Sequence, residues 1–438
     1  MSLQQSIRAF LSAAAESDDG LYPYLANKGT NFDRHTDTVY YSGPFWDSKE
    51  VEAAIETLIK GNWLTSGESV NRFERKFSKE FGFKHSLMVN SGSSANLVML
   101  AALKKYFEWQ DGDEIIVSVV GFPTTLSAII QNGLKPVFVD ISWHDLNWDV
   151  DKIENLITNR TRAVFSSPVL GNPYDLDRII DIISRNKIQL ISDNCDSLGS
   201  KWDGAFLTDY SVAASCSFYP AHHICTMEGG MVSSNNLEIV KLARSFAWWG
   251  RACYCVGKQN LLSNGTCKSR FDNWISDCDV VVDHKYVFEN IGYNLKPLDL
   301  QGSIGLVQLQ KWKDIETKRA ANKAEMDRIF RKIPGCRIVE ALPKAETSWF
   351  GAPIICVSSE LKRKLVRHLE SNRIQTRNYF AGNILVQPGY TDFGNASDYP
   401  NASKVLEKVF FVGVSPTITS EMLNYVENVV DSFIDGTN

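Results

Sequence analysis

Between Ser48 and Ile59 the apolar positions Val51, Ala54, Ile55, Leu58 and Ile59 recur at helical spacing. "SGSSANLVMLAALKKYF" then reads as a turn opening a long apolar helix, with Ser93, Ser94 and Asn96 near its N-terminus. From there, short β-rich runs alternate with helical patterns. "EIIVSVV" and "PVFVDI" are strands separated by the helical "TTLSAIIQNG". "RAVFSSPVL" is a strand, "DLDRIIDIISRN" an amphipathic helix, and "IQLISD" a strand that ends at Asp193. "SVAASCSF" and "GGMVSS" are two more strands, joined by the turn that contains "YPAHHICTME". The strands look buried, as strands covered on both faces are. The β-α-β rhythm predicts a mostly parallel sheet sheathed in helices.

The rhythm lapses from about residue 250 to 290, a polar stretch rich in cysteine and aromatics. Long irregular segments inside compact domains are uncommon and usually functional. The run ending at Ile333 reads as one long helix, and the remainder as a smaller α+β unit. The expected division is an N-terminal helical segment over 1–45, a large α/β domain over 46–310 and a C-terminal domain over 311–438.

A chain of 438 residues with 44% hydrophobic and 22% charged residues suits a soluble globular protein. Its formal charge of −5 comes without a basic block, which speaks against a nucleic-acid partner. No apolar run reaches the roughly 20 residues a membrane span needs. The first twenty residues lack a signal-peptide core, so a cytoplasmic location is expected. Seven of the nine cysteines fall between Cys195 and Cys278, which a dispersed set of buried thiols would not explain.

Asp193 ends a strand at the edge where α/β sheets bind ligands. A carboxylate there can keep a pyridine nitrogen protonated, so that the ring acts as an electron sink. Small residues at the helix start, Ser93 and Ser94, leave N–H groups and hydroxyls for a phosphate. Phe122, in the loop after "EIIVSVVG", can stack on a flat ring. The alternatives residue by residue are a helix cap, a capped helix and a packing aromatic. In order along the chain, however, these features and "SFYPAH" resemble the DegT/DnrJ/EryC1/StrS sugar aminotransferases. These are fold-type I, vitamin-B6-dependent enzymes of α/β class, with a mostly parallel central sheet and a smaller C-terminal domain.

In that family the turn carries a Schiff-base lysine five residues after the serine. Five residues after Ser217 stands His222. "GFPTT", "SFYPAHHI", "DHKY", "GYNLK", "SWFG" and "FAGN" are similar to the branch that removes the 3-hydroxyl of CDP-linked 4-keto-6-deoxyhexoses. The resemblance runs from about residue 40 to the C-terminus. It implies non-covalent pyridoxamine phosphate (PMP, the amine form of PLP), whose amine condenses with the sugar's C4 ketone. His222 is then the base, Asp193 the partner of the ring nitrogen, and Ser217, Ser93 and Ser94 the phosphate holders. Asp196 stands near the cofactor's O3′, Tyr219 and Phe350 match branch-specific pocket positions, and Arg377 falls in the sugar pocket. Asn294 matches a residue that reaches a neighbour's phosphate, implying a homodimer with shared sites.

The same branch binds a [2Fe–2S] cluster through one cysteine after the strand-end Asp and three in a later loop. Here 57 residues separate Cys195 from Cys253, as in that pattern, and Cys253-Tyr254-Cys255 supplies its C-x-C. Eleven residues separate Cys255 from Cys267 where the family has seven, so Cys267 fits only with a loop insertion, and Cys278 is the alternative. Four thiolates also suit Zn²⁺, although C-x-C is not a usual zinc spacing. With the cluster, the expected electron donor is an NADH-dependent iron–sulfur flavoprotein reductase or a ferredoxin. One departure touches the substrate: Val386-Gln387-Pro388 stands where the family has Arg-Gln-Pro. The other readings are a cluster-free dehydratase of a GDP-linked sugar, a sugar aminotransferase, and a non-catalytic zinc-stabilised relative.

Overall fold

The computed structural model describes residues 2–16, 32–61, 63–253, 270–272, 275 and 279–436. Seven strands form the central sheet: β1 (His85–Val89), β2 (Glu114–Ser118), β3 (Lys135–Val139), β4 (Thr161–Ser166), β5 (Gln189–Asp193), β8 (Ala213–Ser217) and β9 (Gly230–Ser234). Between β5 and β8 lie the short strands β6 (Lys201–Trp202) and β7 (Ala205–Phe206). The order across the sheet is β1-β9-β8-β5-β4-β2-β3.

The pairs from β3 through β8 are parallel, as the β-α-β rhythm predicts. Strand β9 runs antiparallel to both its neighbours, which the rhythm does not predict. The reason is the connection. Residues 218–229 make a closed turn, with Phe218 N–H donating to Gly229 O and Thr226 N–H to Phe218 O. A turn that closes on itself sends the chain back beside β8, whereas a parallel neighbour would need a crossover.

The helix Gly92–Tyr106 lies against β8 and β9, its buried face built from Ala95, Val98, Met99, Ala102 and Leu103. Its start is capped by Ser91, whose Oγ accepts from Ser94 N–H at 3.0 Å. Such a cap is worth about 1 kcal/mol. The expected single helix ending at Ile333 is two helices, Asp299–Gln310 and Trp312–Phe330. Lys311 turns between them at φ −94°, ψ −1°, its N–H reaching Gln308 O. The apolar spacing continues through the corner, so periodicity alone does not reveal it.

The C-terminal strands are β10 (Cys336–Ile338), β11 (Ala345–Glu346), β12 (Gly351–Cys356), β13 (Thr376–Asn378) and β14 (Val409–Gly413). Four of them form the antiparallel order β10-β12-β14-β13, while β11 pairs with β6. Strand β12 is buried along its whole length, and its first residue follows directly on Phe350. Among the described residues, no helix is long and apolar enough to cross a membrane.

Candidate active site

At the carboxyl ends of the parallel strands lies a cavity of about 510 Å³. It gathers Ser93, Phe122, Asp193, Cys195, Asp196, Ser217, Tyr219, His222 and Phe350 from five separate segments. Tyr41, Ser91, Glu228 and Phe380 complete its walls together with smaller residues, and no lysine lines it among the described residues.

Asp193 is buried at the end of β5 and fully engaged. Its Oδ2 accepts from Asn96 Nδ2 at 2.7 Å and Thr125 Oγ1 at 2.6 Å. Its Oδ1 accepts from Cys195 N–H at 3.2 Å and Ser215 Oγ at 3.4 Å. Four donors around one carboxylate fix its direction. Glycine is needed at 92, because a Cβ there would lie 2.5 Å from Ser217 Cβ and 3.1 Å from Cys195 Sγ. The helix N-terminus can therefore approach the end of β8 only without a side chain.

His222 sits on the turn after β8, its ring 5.2 Å from that of Phe350. Its Nδ1 is buried without a hydrogen-bond partner and lies 3.7 Å from Asp196 Oδ1, too far for a bond. Burial lowers its pKa to about 4; Asp193's charge opposes this and the Arg319 cation adds to it. Burial, and then Asp193's charge, push Asp196 up to about 7, against the Leu170 N–H and Arg319. The same two causes push the Cys195 thiol well above its ordinary range. His223 does not face the cavity; its Nε2 lies 3.0 Å from Ser348 O.

The other expected residues stand apart from the lining. Ser94 supports it from behind, through Ser91. Arg377 stacks on Tyr41, guanidinium carbon to ring centre 4.1 Å, so it reaches the cavity only through that ring. Asn294 bridges to Trp248 and accepts from Lys296. Cys253 is buried beside Ala252, which is bonded to Val287 O. Cys255, Cys267 and Cys278 lie outside the described residues. Among the described residues, no three His, Cys, Asp or Glu side chains gather as a metal site.

Sequence reasoning missed Tyr41, Ser91, Phe380 and the roles of Asn96 and Thr125. Thr125 belongs to "GFPTT", but nothing in its spacing points toward Asp193. The residues present fit a phosphorylated pyridine cofactor. A carboxylate is locked in place for a ring nitrogen, hydroxyls and a helix N-terminus suit a phosphate, and an orphaned imidazole nitrogen waits in the wall.

The DegT/DnrJ/EryC1/StrS aminotransferase family model matches residues 46–431. The chain is 38% identical over 394 residues to dTDP-4-dehydro-2,6-dideoxy-D-glucose 3-dehydratase of Saccharopolyspora spinosa, covering 88% of this chain and 83% of that one. It is 36% identical to the lipopolysaccharide biosynthesis protein RfbH of Salmonella typhimurium, covering 91% and 92%. It superimposes on the E. coli GDP-4-keto-6-deoxy-D-mannose-3-dehydratase with bound hydrated PLP at a TM-score of 0.79 and 30% identity, over 90% of this chain and 99% of that one. With its α/β fold and mostly parallel central sheet, the chain belongs to the DegT/DnrJ/EryC1/StrS aminotransferase family.

Proposed function

We propose that this chain is a PMP-dependent 3-dehydratase acting on a nucleotide-linked 4-keto-6-deoxyhexose. The observation that carries the reading is His222, a buried neutral imidazole on the turn after β8, in a cavity that no lysine lines among the described residues. The 3-dehydratases among the relatives support the same reaction.

When bound, the cofactor supplies an amine for the C4 ketone and a ring that delocalises the charge left by proton removal. The protein does the rest. Asp193, held by Asn96, Thr125, Ser215 and the Cys195 N–H, keeps the ring nitrogen protonated. Ser217, Ser93 and the helix N-terminus at Ser91 hold the phosphate, and Phe122 covers the ring. His222 takes the proton through a ring nitrogen. Its low pKa keeps it unprotonated and ready to accept. Asp196, raised to about 7, holds its own proton over much of the acidic range and so leaves Asp193 as the anion that acts on His222 there. The sugar loses its C3 hydroxyl, which with the proton taken by His222 makes up the water that departs.

Strand-end placement of Cys195 supports a second, electron-fed reading. Its thiol lines the same cavity beside Asp193, where a [2Fe–2S] cluster completed by Cys253, Cys255 and Cys267 would exchange electrons with the bound sugar. A flavoprotein reductase or ferredoxin would then be the partner. For the nucleotide, the relatives name dTDP- and GDP-linked sugars. CDP rests on the motif resemblance alone, and the cluster on that resemblance, the cysteine spacing and Cys195. A homodimer is supported by the apolar surface around Asn294, where Ile291 is 97% and Tyr286 68% exposed.

His222→Asn is expected to bind PMP as the wild type does while losing solvent exchange at the C4′ methylene by about 100-fold or more. Exchange at the wild-type rate would overturn the reading, as would borohydride trapping of PLP on a lysine. Turnover of CDP-, dTDP- and GDP-4-keto-6-deoxy sugars by the same preparation, assayed for iron and sulfide, separates the two readings.

A further inference from the structure

Arg319, on the helix Trp312–Phe330, is 1% exposed and among the largest fully buried side chains. Its guanidinium faces four backbone carbonyls. Nη2 donates to His222 O at 3.1 Å and Ala221 O at 3.3 Å. Nη1 donates to Phe350 O at 3.2 Å and Trp349 O at 3.5 Å. These carbonyls belong to two segments far apart in the chain: the turn after β8, and the entry to β12. We propose that Arg319 is the positioning residue of this site, clasping the His222 turn to the Phe350 strand so that imidazole and phenyl ring keep their mutual placement.

Irregular backbone in a buried wall leaves carbonyls that need donors. A single planar fork can serve two segments at once, and neither lysine nor a neutral amide matches that geometry. The arrangement is costly if structure alone is at stake. The cation has no carboxylate within bonding distance, and burying an unpaired charge is expensive. The guanidinium carbon lies 5.9 Å from the Phe350 ring centre, and that ring stands against His222. Ala221 O also accepts from Ser42 Oγ at 2.8 Å, which pins the turn from its other side. A base is productive only when its ring nitrogen is held on line with the proton, and a misplacement near 1 Å can cost about 100-fold.

This inference rests on the proposed role of His222, so its test has one readout that needs no cofactor. The full chain is labelled with ring-¹³C histidine, and the His222 signal is identified by its loss in His222→Asn. Arg319→Lys keeps the charge without the fork; Arg319→Gln keeps donors without the charge. In both, the His222 ring signal is expected to shift and broaden while those of His144 and His368 stay in place. PMP affinity should change less than about threefold, and C4′ exchange should fall at least about tenfold in kcat with little change in KM. An unmoved His222 signal in both variants overturns the proposal whatever the activity. So does exchange at the wild-type rate in both, or failure of both to fold, which would make Arg319 a structural residue only. If the wild type itself shows no exchange, the proposed function fails, and the NMR readout still decides the clasp.

Discussion

His222 and Asp196 face each other across 3.7 Å, and the buried wall reverses where their proton sits. In an unfolded chain near pH 5, histidine is charged and aspartate ionised. Folded, His222 titrates at about 4 and Asp196 at about 7, so the proton moves to the carboxyl and both groups are neutral. The depressed histidine contributes stability that is present above pH 6.5 and lost as pH falls toward 4. The raised aspartate contributes stability that is present below its ordinary pKa and lost as pH rises toward 7. Between about pH 4 and 6.5 the slopes oppose, each near 1.4 kcal/mol per pH unit, and the pair binds one proton in either state. Urea unfolding at pH 4.5, 5.5 and 6.5 should therefore show almost no slope from this pair. Asp196→Asn should become more stable as pH rises across the window, and His222→Asn less stable. The position of His222, five residues after Ser217, was legible in the sequence. Its neutrality was not, because the burial and the Arg319 cation that lower its pKa come from remote segments.

At the scale of elements, the site depends on how closely the helix Gly92–Tyr106 meets β8. Gly92→Ala would place a Cβ 2.5 Å from that of Ser217, forcing the helix start away from the strand. The expected cost is about 1–3 kcal/mol of stability, read as a lower urea midpoint. A drop in PMP affinity measured by absorbance titration should accompany it, because the phosphate holders on the helix and on β8 move apart. Alanine tolerated with unchanged midpoint and affinity would show that the contact has slack. The strands β2 to β5 and β8 were visible as apolar runs, and the helix opening at Ser91 as a serine turn. The reversal into β9 and the corner at Lys311 were not. Each is decided by backbone hydrogen bonds of a turn, which leave the hydrophobic pattern unchanged.

For the molecule as a whole, the apolar stretch leading to Asn294 is where a second copy is expected. Gly250 and Gly292 pass so closely that a Cβ on Gly292 would lie 2.3 Å from Gly250 N, which holds Ile291 outward. Ile291→Asp should convert a dimer to a monomer in light scattering at micromolar concentration. PMP affinity should weaken with it, since Asn294 is expected to serve the neighbour's phosphate. A monomeric wild type with full affinity would sink the shared-site reading. What the sequence by itself determined is the list of chemical parts and their order: a helix-start serine turn, a strand-end aspartate, a histidine in the lysine's place, and clustered cysteines. Local propensity and spacing encode these, so they survive without coordinates. Only the tertiary structure decided which parts share one cavity, that Asn96 and Thr125 aim Asp193, and that Arg319 reaches His222 from a helix nearly a hundred residues away. Those relations depend on distance and on shielding from water, which no residue carries alone.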